Sequence, residues 1–333
     1  MNAMVLDQSG DPSSHPLALR DMPVPEPASG QVRLRVTVCG VCRTDLHIVE
    51  GDLPPAMRPI IPGHEVVGVI DRLGSNVRGL KEGDRVGVAW LQETCGVCRY
   101  CLRGAENLCP KAVFTGYHRH GGYAEYLLVP SAFAYPIPPI FTDDEAAPLL
   151  CAGIIGYRAL RRSDVKPGQR LGMYGFGASA HLTIQIARHW GCEVYVCSLR
   201  EEHRRLARDL GAVWVGGAAE RPPDKLDAAI LFAPAGELVP PALQALDKGG
   251  TLAVAGIHMT PIPEIDYDRD LFDERSLRSV TANTKQDGLD FLREAAAIPI
   301  RAHTQRFRLD QANEALQSLK ASTIQGAAVL AMD

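Results

Sequence analysis

The stretch RLGMYGFGASAHLTIQIARHWG, residues 170–191, decides the fold. Arg170 to Tyr174 is a short apolar run after the turn Pro167-Gly168 and reads as a strand. Gly175-Phe176-Gly177-Ala178-Ser179-Ala180 follows as G-x-G-x-x-A. Beyond it Leu182, Ile186 and Trp190 fall on one face of a helix that Gly191 stops. The roles of the small residues follow from packing. Gly175 permits a tight turn, Gly177 lets the backbone approach a pyrophosphate, and Ala180 lets helix and strand pack closely. The first N–H groups of the helix then face the phosphates. Alone the pattern is weak; between a strand and a helix it points to a dinucleotide site.

The next segments keep the alternation. A strand is expected over Val194 to Cys197 and a helix over Glu201 to Leu210, closed by Gly211. A strand at Ala228 to Phe232, a short helix near Leu243 and a strand at Thr251 to Ile257 follow. Strands alternating with helices predict an α/β fold with a doubly wound parallel sheet. A last strand is expected near Ser279 to Ala282. The tail from about Asn283 reads as mostly helical, ending in the strand-like run Ala327 to Ala331.

Before residue 150 the character differs. Val32, Leu34, Val36 and Val38 alternate with Arg33, Arg35 and Thr37, the period of a half-buried strand. Apolar runs at Val66 to Ile70 and Arg85 to Ala89 are punctuated by Gly63, Gly68, Gly74, Gly79 and Gly83. Short strands with glycine turns suggest a barrel-like β domain.

With 333 residues the chain can bury two cores. A net charge of -4 offers no footprint for nucleic acid and no polybasic membrane arm. The apolar run Ala146 to Tyr157 is too short to span a bilayer and contains Pro148. MNAMVLDQSG lacks the basic and apolar regions of a secretion signal, so a cytoplasmic location is expected.

A reducing location makes a disulfide framework the wrong reading of nine cysteines. Cys95, Cys98, Cys101 and Cys109 are spaced C-x2-C-x2-C-x7-C. Four thiolates close a tetrahedron around zinc and leave no open position, so such a site shapes a loop and does no chemistry. Exposed free thiols rarely cluster, and the spacing fits neither common ferredoxin pattern. Further candidate ligands are scattered: Cys42, His64, Glu65 and Cys151. Each alone reads equally as a structural residue, and Cys39 with Cys42 forms a C-x-x-C that would need a thioredoxin-like setting to be redox-active. Spacing alone leaves a second metal site open.

CGVCRTDLH (39–47), GHEVVG (63–68), the four-cysteine lobe, PLLCAGIIGY (148–157) and GFGASA (175–180) occur in one order along nearly the whole chain. In this the chain resembles the zinc-containing medium-chain alcohol dehydrogenases, in the branch with bacterial and plant cinnamyl alcohol dehydrogenases. The resemblance implies a β-rich GroES-like catalytic domain over residues 1–151 and 284–333, and a Rossmann cofactor domain over 152–283. It implies hydride transfer between an alcohol and its aldehyde or ketone, on a small-molecule substrate. It implies that Cys42, His64 and Cys151 hold a catalytic zinc and Cys39 does not, leaving one position open. Asp45 then fixes the ring of His64, and Glu65 sits beside the metal. Thr44 and His47 match a proton relay running through the cofactor ribose, and Trp90 matches a substrate-pocket position. The implied site lies in the cleft where the strand ends of the cofactor sheet meet the β domain. A homodimer or homotetramer is also implied, with the last strand of the cofactor domain extending the sheet into a partner.

The activation problem favours a metal. A free hydroxyl ionises near about 15.7 and zinc-bound water near about 7, a difference of roughly 12 kcal/mol that no single side chain supplies. Cofactor choice turns on Cys197-Ser198-Leu199-Arg200. Ser198 stands where NAD enzymes place a carboxylate for the ribose, and Arg200 is close by, which favours NADP(H) over NAD(H). Otherwise Arg200 merely starts a surface helix whose Glu201 and Glu202 partly neutralise it. Two positions depart from the family pattern: Ile155 replaces a common threonine beside the nicotinamide, and Ala327 stands near a common pyrophosphate arginine. Arg43 remains as a pyrophosphate contact. Three rivals remain. A zinc-free quinone or enoyl reductase would lack both ligand sets, and a polyol dehydrogenase would carry glutamate in place of Cys151. A non-catalytic NADPH-binding or zinc-stabilised scaffold would lose Cys42, His64, Thr44 or His47, and all are present. The sequence does not name the physiological substrate, and His118 and His120 either line the pocket or are solvated.

Overall fold

The computed structural model describes residues 1–218 and 220–332. Asp333, the end of the expected catalytic domain, and Ala219, inside the expected cofactor domain, lie outside the described residues. The chain divides into two compact units, Met1–Cys151 together with the segment from Ala282 onward, and Ala152–Thr281.

The second unit is a six-stranded parallel sheet. Its spatial order is Trp214–Gly216, Glu193–Cys197, Arg170–Tyr174, Leu226–Leu231, Leu246–Val254, Ser276–Ser279. Numbered along the chain that is 3-2-1-4-5-6, the doubly wound Rossmann arrangement. Leu171, Val194, Val196, Ala229, Ile230, Leu231 and Leu252 are buried, as both faces of a covered parallel sheet require. The helix Ala178–His189 buries Leu182 and Ile186, while Trp190 caps its end half-exposed.

Two strands differ from expectation here. Leu246–Val254 begins five residues earlier than Thr251, because Lys248-Gly249-Gly250 reads as a turn but runs inside a strand with a register shift. It also stops at Val254, short of Ile257. The final strand is Ser276–Ser279 at the sheet edge, not Ser279 to Ala282; Ala282 has φ 47°, which no strand accommodates.

The first unit is built on a seven-stranded sheet. Gln31–Val41 pairs antiparallel with Glu65–Leu73, Tyr126–Pro130 and Ala327–Ala331. Val32, Leu34 and Val36 face the core as alternation predicts, but Val38 through Val41 are buried without alternation. The strand therefore carries two buried faces where it approaches Cys42. The tail holds helices Lys285–Ala297 and Ala312–Lys320, in keeping with its mostly helical reading, and also a strand, Thr304–Arg308, which that reading did not single out. Its residues TQRFR are mostly exposed on the sheet edge, so no apolar alternation marks them. Among the described residues no helix is long and apolar enough to cross a membrane.

Candidate active site

Where the strand Gln31–Val41 ends, Cys42 becomes the N-cap of the helix Arg43–Glu50. Its sulfur accepts from Thr44 N–H at 3.3 Å, and its own N–H donates to Asp45 Oδ2 at 3.0 Å. This capping box satisfies two orphan donors and fixes the sulfur at the positive end of the helix. The other oxygen of Asp45 accepts from His64 Nδ1 at 2.9 Å and from Gly63 N–H at 3.2 Å. One fully buried carboxylate thus holds both the cap and the imidazole. Because the carboxylate accepts only, the His64 proton sits on Nδ1, and Nε2 faces Cys42 Sγ at 3.2 Å.

The donor atoms of Cys42, His64, Glu65 and Cys151 all lie within 4.8 Å of one another. Burial works to raise the Cys42 thiol, but Cys151 and His64 beside it outweigh that and hold it well below the usual thiol range. Burial drives the Glu65 carboxyl well up, and the Cys42 charge adds to it. Room for Glu65 comes from Gly40, where a Cβ would sit 1.8 Å from Glu65 Oε2. Cys39, three residues before Cys42, is outside the cluster. Its sulfur donates to Gly40 C=O at 3.5 Å, and burial pushes its thiol well up, as for an inert core residue. Two thiols, one imidazole nitrogen whose partner nitrogen is already bonded, and an adjacent carboxyl form a donor set suited to zinc.

The second thiol cluster hangs from the antiparallel pair Leu91–Glu93 and Val113–Phe114. A tetrahedron with Zn–S of about 2.3 Å has S···S edges of about 3.8 Å. Cys98 and Cys101 are 3.5 Å apart, Cys95 and Cys109 3.6 Å, and Cys95 and Cys101 3.9 Å. These distances exclude disulfides, which need about 2.05 Å, and fit a shared ion. Backbone N–H groups of Val97 and Cys98 hold the Cys95 thiol down at about 6.

Thr44 is buried, and His47, half-buried on the same helix, bonds Asp52 through Nδ1 at 3.0 Å. Trp90 meets His64 edge-on with ring centroids 4.9 Å apart. It stacks on Phe114 at 5.0 Å and tilts against Tyr117 at 5.9 Å. His118 continues this cluster, 5.5 Å from Phe114 and 4.6 Å from Tyr117. The Nδ1 atoms of His118 and His120 accept backbone N–H groups of Phe114 and Ile61, and burial lowers both imidazoles. Neither histidine is merely solvated. Phe114 and Tyr117 escaped the sequence reading; the signal was an aromatic-rich FTGYHRHGGY run.

In the other unit, Gly175 adopts φ 90° and a Cβ there would meet Ala233 N at 2.8 Å. Gly177 caps the following helix without any side-chain bond, and beyond its Cα nothing lies within 4 Å of a would-be Cβ. The helix N–H groups are therefore open to an anion. Ala180 is fully buried. Ser198 is buried just past the strand Glu193–Cys197, and Arg200 is the exposed N-cap of the helix Glu201–Asp209. Glu201 is engaged by Arg204 and Arg208, and Arg204 also donates to the carbonyls of Ser198 and Leu199. Sequence reasoning overlooked Arg204, which is one helical turn from Arg200. Of the remaining positions, Arg43 donates to Ser322 Oγ at 3.1 Å, Ile155 is half-buried in Ile154–Arg162, and Ala327 is buried in its strand.

Comparison with known proteins matches both halves of this arrangement. Residues 28–139 match the alcohol dehydrogenase GroES-like domain and residues 180–297 the zinc-binding dehydrogenase domain. The protein named probable alcohol dehydrogenase AdhA of Mycobacterium tuberculosis is 52% identical over 99% of this chain and 97% of its own. A cinnamyl alcohol dehydrogenase structure from Sorghum bicolor superposes with TM-score 0.90 at 28% identity, covering 99% of this chain and 97% of that one. A cobalt- and zinc-bound thermostable alcohol dehydrogenase from Pyrobaculum aerophilum superposes with TM-score 0.90 at 26% identity, covering 100% and 99%. The chain belongs to the zinc-type medium-chain alcohol dehydrogenase family and is an alcohol dehydrogenase or reductase.

Proposed function

We propose that the enzyme depends on zinc, binds two zinc ions per chain in different roles, and works with NADP(H). The observation that carries this is the buried convergence of Cys42, His64, Glu65 and Cys151 within 4.8 Å, apart from a second cluster of four thiols. Cys42, His64 and Cys151 would hold the catalytic ion, and Cys95, Cys98, Cys101 and Cys109 the structural one. The catalytic ion, when bound, polarises a substrate oxygen and makes its hydroxyl proton acidic. Asp45 keeps His64 in the tautomer that presents Nε2. Glu65, buried and close, would stand beside the ion as a further carboxylate. Thr44 and His47 carry the hydroxyl proton outward, and Trp90 with Phe114 walls the space beside His64. Gly175, Gly177 and Ala180 shape the pyrophosphate turn, with Arg43 as a further phosphate contact.

Ser198 removes the carboxylate that would repel a 2′-phosphate, and Arg200 supplies the opposite charge. Glu201 is occupied by Arg204 and Arg208, which supports this reading. Residues 1–151 and 284–333 serve as the catalytic domain and 152–283 as the cofactor domain. The enzyme acts as a soluble cytoplasmic homo-oligomer, with the edge strand Ser276–Ser279 pairing across subunits. The test is zinc content per chain, combined with kcat/KM for NADPH and NADH against a panel of aldehydes and alcohols. Two zinc ions and a preference for NADPH are expected. One zinc or none in carefully prepared active protein defeats the two-site assignment.

A further inference from the structure

Thr115 anchors the turn that follows the strand Val113–Phe114. Its N–H donates to Trp90 C=O at 2.9 Å and its hydroxyl to Ala89 C=O at 2.8 Å. Gly116, at φ 71°, packs this turn onto the residue before His64, since a Cβ there would sit 2.9 Å from Gly63 N. His118 closes the turn with two bonds. Its N–H donates to Phe114 C=O at 2.9 Å, and its Nδ1 accepts from Phe114 N–H at 3.1 Å. A ring nitrogen that accepts carries no proton, so the neutral imidazole holds its proton on Nε2. Among the described residues nothing takes up that Nε2 donor. Trp90, Phe114, Tyr117 and His118 are each half-buried and follow one another in ring contact, so an apolar surface runs from His64 out to the His118 imidazole. Arg119 beside it is exposed, donates to His118 C=O at 3.4 Å, and pairs with no carboxylate among the described residues.

We infer that His118 and Arg119 select substrates that carry a carboxylate at the end remote from the reacting hydroxyl or carbonyl; this rests on the aromatic wall proposed beside His64. The rings suit the apolar body of such a molecule and offer its polar end nothing before His118. A carboxylate only accepts, and here it meets an N–H donor and a guanidinium. The donor is held at one place by the turn bond, so length is selected as well as charge. A terminal methyl would leave the Nε2 donor unpaired and gain nothing from Arg119. The substrate class is an apolar hydroxy or oxo acid, with the alcohol or aldehyde at one end and the carboxylate at the other. The contact is remote from the reacting carbon and is made alike before and during hydride transfer, so it belongs to KM rather than kcat.

The probes are 4-formylbenzoate and 4-methylbenzaldehyde, which share ring, aldehyde and overall length and differ in the carboxylate. The ratio of their kcat/KM values is compared between proteins, so their difference in intrinsic reactivity cancels. His118→Asn is the decisive change. Its amide oxygen stands where Nδ1 stood and still accepts Phe114 N–H, while the donor on the far side of the ring is lost. The ratio should fall about tenfold, through KM, with 4-methylbenzaldehyde changed by no more than about twofold. His118→Gln, whose amide reaches as far as Nε2, should recover part of the ratio. Arg119→Ala should lower the ratio severalfold at low salt and less as salt rises. A ratio that stays within about twofold in His118→Asn refutes the assignment. If both aldehydes slow equally in that variant, His118 only shapes the turn and the inference fails. Trp90→Ala should slow both aldehydes. If it slows neither, the aromatic wall itself is misread, a separate failure that removes this inference with it.

Discussion

Converting Ser198 to aspartate should invert the cofactor preference. The serine is buried directly after the strand Glu193–Cys197, with its N–H donated to Gly216 C=O at 3.0 Å, so the backbone direction at this point is fixed. A carboxylate about 5 Å from a phosphate charge repels it by about 1–3 kcal/mol for effective dielectric constants from 80 to 20. Solvent at the exposed Leu199 and Arg200 pulls this toward the low end, which corresponds to about a tenfold loss with NADPH. The same carboxylate accepts from a ribose hydroxyl, so NADH should gain. Arg200→Ala removes a charge-assisted hydrogen bond worth about 1.5 kcal/mol at an exposed site, again about tenfold. The two residues would act on one group, so the double variant should lose less than the product. The assay is kcat/KM for NADPH and NADH with one good aldehyde, at low and at physiological ionic strength. The preference of the unmodified enzyme should weaken as salt rises. If the unmodified enzyme prefers NADH, or if Ser198→Asp leaves the ratio within twofold, the reading of this strand end is refuted.

Cys42→Ala should remove one zinc equivalent and abolish turnover while the far-UV spectrum stays unchanged; a variant that keeps full activity would rule out Cys42 as a ligand. Cys101→Ser should remove the other equivalent and lower Tm, and calorimetry would show whether it does. Gly175→Ala should destabilise the cofactor unit by about 1–2 kcal/mol from the positive φ alone, more as Ala233 is displaced, and should weaken cofactor binding. Urea titration with and without cofactor separates these two effects. Ile48→Ala, at a fully buried position in the helix behind Cys42, should cost about 2–5 kcal/mol. An unchanged urea midpoint would show that the helix does not depend on that packing.

What could be read from the sequence follows the distance over which each feature is built. The turn at Gly175 and the four-thiol lobe are local, so their spacing carries their chemistry. The cluster of Cys42, His64, Glu65 and Cys151 draws on residues up to 109 apart in the chain (151 − 42), and no spacing rule reaches that far. Only the resemblance grouped those residues in advance as one site. Arg204 was hidden because an arginine on a polar helix face reads as solvated. Cys39 and Cys42 make the point most sharply. They are the same residue type three positions apart, and composition cannot separate them. Cys39 lies inside a strand where both faces are buried, and its S–H finds only a carbonyl. At Cys42 the chain leaves the strand for a helix, and the sulfur there meets an N–H, a helix end and an imidazole. The first environment favours a neutral thiol and the second a thiolate, so the backbone transition between residues 41 and 43 decides which of the two can bind a metal.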